Sequence, residues 1–114
     1  AAHRDLNNFM VIIDENGYQA MGSTQEVMRL GSIQKKFEAF GFEAITIDGH
    51  DEAAIDTAIK ELWASPSPSP KAIVAKTIKG KGVPFMENDN RWHYTRLTPE
   101  TYEQAVATVM EQSQ

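Results

Sequence analysis

Three short apolar runs punctuate a chain that is otherwise polar or helix-patterned. The first, Asn8-Phe-Met-Val-Ile-Ile-Asp14, is β-branched and closes on Asp14-Glu15-Asn16-Gly17. A short run bounded by turn residues predicts a strand. Ala44-Ile-Thr-Ile-Asp48 and Ala72-Ile-Val-Ala-Lys-Thr-Ile78 repeat the pattern. Runs that are apolar throughout are what parallel sheets show when helices cover both faces. Between the runs lies helical spacing. Ile33, Phe37 and Phe40 share one helical face, with Gly41 as a stop. Ala54, Ile55, Ala58, Ile59 and Leu62 make a longer stripe that Asp51 is placed to cap. Ser65-Pro-Ser-Pro-Ser-Pro70 ends that helix and reads as a stiff surface loop. Thr98-Pro99-Glu100 opens a last helix, striped by Tyr102, Ala105, Val106, Val109 and Met110.

Strand and helix alternate, so the expected fold is α/β: an open, mostly parallel sheet with flanking helices. The 114 residues fit one domain, and no internal repeat is visible. Yet a three-strand sheet is thin and leaves both edges unpaired. The opening stub, Ala1-Ala2-His3-Arg4-Asp5-Leu6, reads as the last turn of a helix. The expectation is a portion of something larger, held in an oligomer and not as an isolated monomer.

Charge narrows the partners. Sixteen acidic against eleven basic side chains give a net charge of −5. A nucleic-acid surface needs clustered positive charge, so no nucleic-acid partner is expected. The absence of cysteine excludes a disulfide framework, a thiolate nucleophile and a Cys-based zinc site. The longest apolar run, Phe9 to Ile13, is far short of a membrane span, and the N-terminus lacks the apolar core of a signal peptide. No membrane association and a cytoplasmic location are the expectation.

Three places could carry chemistry. Asp14-Glu15-Asn16-Gly17-Tyr18-Gln19 follows the first strand, and ligands of open α/β sheets sit beyond the carboxyl ends of strands. An Asn oxygen followed by Gly can present oxygen to a hard cation such as Mg²⁺ or Ca²⁺, or can simply make a tight turn. Thr77-Ile-Lys79-Gly80-Lys81-Gly82-Val-Pro84 offers backbone freedom and point charges for a phosphate. It lacks the Walker A spacing and reads equally as a solvated loop. Asn88-Asp89-Asn90-Arg91-Trp92-His93-Tyr94 sets Trp beside His; His93 is a proton-transfer or anion-binding candidate, or else a residue packed on Trp92. His3 lies in the stub and His50 in a turn, and the three His have no metal spacing.

In collinear order, Phe9-Met-Val-Ile-Ile-Asp-Glu-Asn-Gly-Tyr-Gln, Gly41-Phe-Glu-Ala-Ile-Thr-Ile-Asp-Gly-His-Asp51 and Ala75-Lys-Thr-Ile-Lys-Gly-Lys-Gly-Val-Pro-Phe-Met-Glu-Asn with Trp92-His93 resemble the transketolase family. The resemblance covers nearly the whole chain and matches the later, C-terminal portion of the family's thiamine-diphosphate-binding domain. It implies a ketol transferase that uses thiamine diphosphate and a divalent cation, Mg²⁺ or Ca²⁺, on sugar-phosphate substrates. By that resemblance Asn16 is a side-chain metal ligand and Tyr18 a backbone-carbonyl ligand. Lys79 and His93 lie near the cofactor's diphosphate, and His93 also reaches the reacting substrate.

The departures carry weight too. The family's Gly-Asp-Gly motif, which supplies another metal ligand, is absent from the fifteen residues before Asn16. Met21 stands where an acidic residue is usual, and Tyr94 where Gly follows Trp-His. The resemblance therefore implies a complementary transketolase chain or segment as partner, without which the chain is not a self-sufficient enzyme. The alternative is a non-catalytic remnant acting as a binding or scaffold module; a generic α/β phosphate-binding domain ranks below both.

Overall fold

The computed structural model describes residues 1–112. In chain order its elements are β1 (Met10–Glu15), β2 (Tyr18–Gln19), β3 (Gly22–Ser23), α1 (Thr24–Val27), α2 (Ile33–Ala39), β4 (Glu43–Asp48), α3 (Glu52–Ala64), β5 (Lys71–Lys76) and α4 (Pro99–Gln112). Short 3-10 helices occupy Ala2–Arg4 and Asn90–His93. The chain divides into two compact units that alternate along the sequence. One comprises Ala1–Glu15 and Leu30–Thr77; the other comprises Asn16–Arg29 and the chain from Ile78 onward.

In the first unit the three predicted strands form an α/β sheet in the order β1-β5-β4, parallel throughout. Met10 and Glu43 both stand opposite Lys71. The strand ends differ from the apolar runs. Thr77, expected inside the third strand, leaves the ladder and donates its hydroxyl to the Asp14 carboxylate. Two-sided burial holds only for the central strand: Lys71 to Ala75 are all buried, whereas β1 and β4 alternate. An edge strand with one neighbour has less to cover it. Ile12 of β1 is 61% exposed.

The helices take opposite faces. Ala58, Ile59 and Leu62 of α3 pack with Ile45, Ile47, Met10 and Ile73. Thr46, which must point the other way from Ile45 and Ile47, donates to Gln34 Oε1 of α2 at 2.7 Å. Capping follows the sequence reading. Asp51 Oδ1 accepts from Ala53 and Ala54 N–H at 2.9 and 3.1 Å. Past α2, Phe42 N–H bonds Phe37 O and Gly41 N–H bonds Glu38 O, with the Phe37 and Phe42 rings in edge contact at 5.1 Å. This is the Schellman closure with its apolar clasp.

The Ser-Pro stretch departs from the expected surface loop at its end. Pro70 is fully buried, and its carbonyl accepts from Glu43 N–H at 2.9 Å. Next to it Lys71, 1% exposed, places Nζ 2.6 Å from Glu43 Oε2 and 3.3 Å from Ser67 O. Ser65 Oγ donates to the same Glu43 oxygen at 2.8 Å. A buried ammonium needs such partners. The Lys71 bond holds the Glu43 carboxyl below its ordinary value, against an opposing effect of burial and with help from Ser65. A depressed carboxyl contributes stability above its unfolded value and loses it as pH falls through its folded value. Glu43→Gln should therefore cost about 1–3 kcal/mol near pH 7, a gap that closes in acid. Urea unfolding of both proteins across pH checks this, and equal midpoints at pH 7 would contradict it.

In the second unit, β2 and β3 form a two-residue antiparallel hairpin that the apolar pattern did not predict, with Tyr18 opposite Ser23. Ser23 caps α1, accepting from Glu26 N–H at 3.3 Å and donating to Glu26 Oε2 at 2.7 Å. α4 begins at Pro99 as predicted. Its apolar stripe forms but stays largely outside a core: Tyr102, Val106 and Met110 are exposed. Among the described residues no helix is long and apolar enough to cross a membrane.

Candidate functional site

Asn16 directly follows β1. Its Oδ1 accepts from Tyr18 N–H at 2.9 Å, so the side chain closes an Asx turn and its direction is fixed. Gly17 has φ +79°, a conformation that costs glycine nothing and any other residue strain. Its carbonyl accepts from Thr24 N–H at 2.8 Å and Thr24 Oγ1 at 3.2 Å. The first residue of α1 thus braces the turn. The tight-turn reading of the sequence is what the structure shows here.

The Lys-Gly-Lys-Gly stretch is not a slack loop. Asn88 N–H bonds Lys79 O at 3.0 Å and closes the segment between them. Inside, Met86 N–H bonds Val83 O at 2.7 Å, and Gly82 N–H bonds Glu87 Oε1 at 3.1 Å. Gly80, at φ +75°, lies so close to Met86 that a Cβ there would stand 2.5 Å from Met86 O. Lys79 is half-buried and Lys81 exposed, so the two lysines are not equivalent. Such a self-packed loop with joined ends holds its charges in place.

The loop at Asn88-Tyr94 contains a helical turn. Asp89 Oδ1 caps it by accepting from Arg91 N–H at 2.9 Å. The Arg91 guanidinium returns onto the same carboxylate, Nε at 2.9 Å and Nη2 at 2.5 Å from Oδ2. Those bonds, with the backbone N–H, hold the Asp89 carboxyl below its ordinary value, and the Lys79 charge acts in the same direction. Trp92 Nε1 donates to Phe85 O at 2.9 Å, with the Phe85 and Trp92 rings 5.3 Å apart. His93 is exposed and meets Tyr94 edge-on at 4.6 Å. The ring contacts here pair Trp92 with Phe85 and His93 with Tyr94.

All four candidates, Asn16, Tyr18, Lys79 and His93, lie in the second unit. The Asn16 turn leads into the β2–β3 hairpin, where Ala20 O accepts from Asn90 Nδ2 at 3.2 Å. Asn90 starts the helical turn that ends at His93, and Trp92 of that turn is tied to the Lys79 loop through Phe85. Hydrophobic patterning could not reveal Asn90. Its one sequence signal is its place after the capping residue Asp89. As a cation site the turn offers two neutral oxygens, the Asn16 side chain and the Tyr18 carbonyl. Among the described residues no group of three His, Cys, Asp or Glu could hold a metal. A hard cation takes six or more oxygens, so these two could make up only part of a ligand set.

Residues 1–110 match the family described as "Transketolase, thiamine diphosphate binding domain". The chain is 36% identical over 106 residues to an apulose-4-phosphate transketolase subunit from Phocaeicola vulgatus, covering 93% of this chain and 37% of that protein. It is also 36% identical over 107 residues to "6-deoxy-6-sulfo-D-fructose transketolase subunit SqwG" of Clostridium sp. (strain MSTE9), covering 94% of this chain and 38% of that one. The crystal structure of transketolase from Campylobacter jejuni superposes with a TM-score of 0.85 at 30% identity, over 96% of this chain and 17% of that one. The chain thus spans well under half the length of these proteins. On the family match and the shared fold together, it belongs to the transketolase family, within its thiamine-diphosphate-binding domain.

Proposed function

We propose that the chain supplies the later portion of a transketolase thiamine-diphosphate site and works with a complementary chain or segment carrying the Gly-Asp-Gly motif. Two relatives named as transketolase subunits support this reading. The observation that carries it is the grouping of the Asn16 turn, the closed Lys79 loop and the His93 turn in one compact unit.

In this reading Asn16 Oδ1 and the Tyr18 carbonyl give oxygens to Mg²⁺ or Ca²⁺, and the Asx turn sets their direction before the cation arrives. Lys79, on a loop closed by its own backbone, adds positive charge toward a diphosphate. His93, exposed at the end of its turn, hydrogen-bonds the diphosphate or the incoming substrate. Thiamine diphosphate, when bound, supplies the carbanion chemistry of two-carbon ketol transfer between sugar phosphates. An assembled oligomer in the cytoplasm is the setting proposed.

The test is calorimetry on the assembled protein with Mg²⁺ and thiamine diphosphate. Asn16→Ala should weaken cofactor binding by about ten- to a hundredfold, at least what outer-sphere partners of a metal cost. Lys79→Ala should weaken it by less than about fivefold, since water replaces one charge on a diphosphate in part. Unchanged affinity for Asn16→Ala would remove the turn from the site.

A further inference from the structure

Asn90 is half-buried, and its carboxamide oxygen is buried outright. Its Nδ2 donates to Ala20 O at 3.2 Å, between segments seventy positions apart. Among the described residues its Oδ1, which is buried, has no partner, nor has the buried Nε2 of Gln19, the residue before Ala20. An unmade hydrogen bond on a buried polar atom costs more than one made bond returns. The one bond it makes joins two segments of the second unit.

We propose that Asn90 is a positioning residue, which couples the hairpin following the Asn16 turn to the helical turn carrying His93. The linkage is continuous. Asn16 Oδ1 holds Tyr18 N–H, Tyr18 and Gln19 pair with Ser23 and Gly22, and Ala20 in the hairpin loop receives Asn90 Nδ2. At the other end, Asn90 is the first and His93 the last residue of a four-residue 3-10 helix. Side chains three apart in a 3-10 helix eclipse one another, so Asn90 and His93 share one side of the turn. The Asp89 cap on Arg91 N–H fixes where that turn starts. A shift of the hairpin therefore carries to the imidazole through one side chain. The consequence for a cofactor rests on the function proposed above; the coupling itself does not.

Hydrogen exchange on the full-length assembled protein without cofactor tests the coupling. Asn90→Ala should speed exchange about tenfold or more in both Tyr18–Ser23 and Arg91–Tyr94, leaving β4 and β5 amides at wild-type rates. Asn90→Asp keeps the size but loses the donor, placing an oxygen against Ala20 O, and should match Asn90→Ala. A response in one segment or neither, a rise across the whole sheet, or wild-type behaviour of Asn90→Asp would each overturn the proposal. Calorimetry with Mg²⁺ and thiamine diphosphate then reads the consequence. Asn90→Ala should weaken binding in the wild-type background and much less beside Asn16→Ala, because coupled groups give non-additive effects. Strict additivity would overturn the positioning role. If the wild-type protein bound no thiamine diphosphate, the function reading would fall, and hydrogen exchange would still decide the coupling.

Discussion

On the function proposed above, replacing His93 by alanine in the assembled protein is expected to lower kcat/KM by about ten- to ten-thousand-fold, the range for lost acid–base help combined with lost charge or hydrogen bonding. Thiamine diphosphate affinity should fall much less. The split follows from the position of the ring. His93 is exposed and touches Tyr94 by one edge, while Trp92 carries the packing of the turn through Phe85. Removing an exposed imidazole leaves that packing intact, so a loss of activity would be assigned to its chemistry. Steady-state kinetics at saturating cofactor decide the matter, and an unchanged kcat/KM would assign His93 to the surface.

Gly80→Ala is expected to be far more damaging than the same change at Gly17. At φ +75° an L-residue is strained, and the new Cβ would meet Met86 O at 2.5 Å, Met86 C at 2.7 Å and Met86 Cβ at 2.8 Å. Two of those atoms are backbone, so the loop closed between Lys79 and Asn88 must open to relieve them. Gly17→Ala is the matched comparison, with φ +79° and nothing within 4 Å of its Cβ. It should cost about 1–2 kcal/mol, the left-handed strain alone. Gly80→Ala should cost at least about twice that. Hydrogen exchange along Lys79–Asn88 reports the difference, and equal protection in the two variants would refute the close approach.

The strands and longer helices were legible because each is announced by its own residues. Asp51 caps α3, Gly41 stops α2, and the three apolar runs all entered one sheet. Which strand would be central was not legible. Val11, Ile45 and Ile73 look alike in sequence, yet only β5 gains a neighbour on each side, a long-range outcome that local patterning does not encode. The β2–β3 hairpin is too short to carry an alternation signal. Pro70 read as surface because proline ends helices and favours loops, but here it leads the chain into β5 and lends its carbonyl to Glu43. The stripe of α4 was legible as a face and its exposure was not, since periodicity reports that a face exists and not what covers it. Among the candidates, composition and spacing picked out the three stretches that hold Asn16, Lys79 and His93, and the family resemblance singled out Tyr18 and Lys79 within them. The loop closure and the Asn90 bond that relate them depend on contacts distant in sequence.

The central place of β5 also sets an order of events during synthesis. Among the described residues β1 and β4 meet only through β5, yet β5 is made last of the three, with Met10 and Glu43 both waiting for Lys71. While the nascent chain ends before Lys71, neither β1 nor β4 can make its ladder to β5, whereas α2 and α3 rest on local contacts. Both ladders then become available together, across loops whose closure entropy is met in one stage. Among these three strands, the last one made is therefore the one that joins the other two.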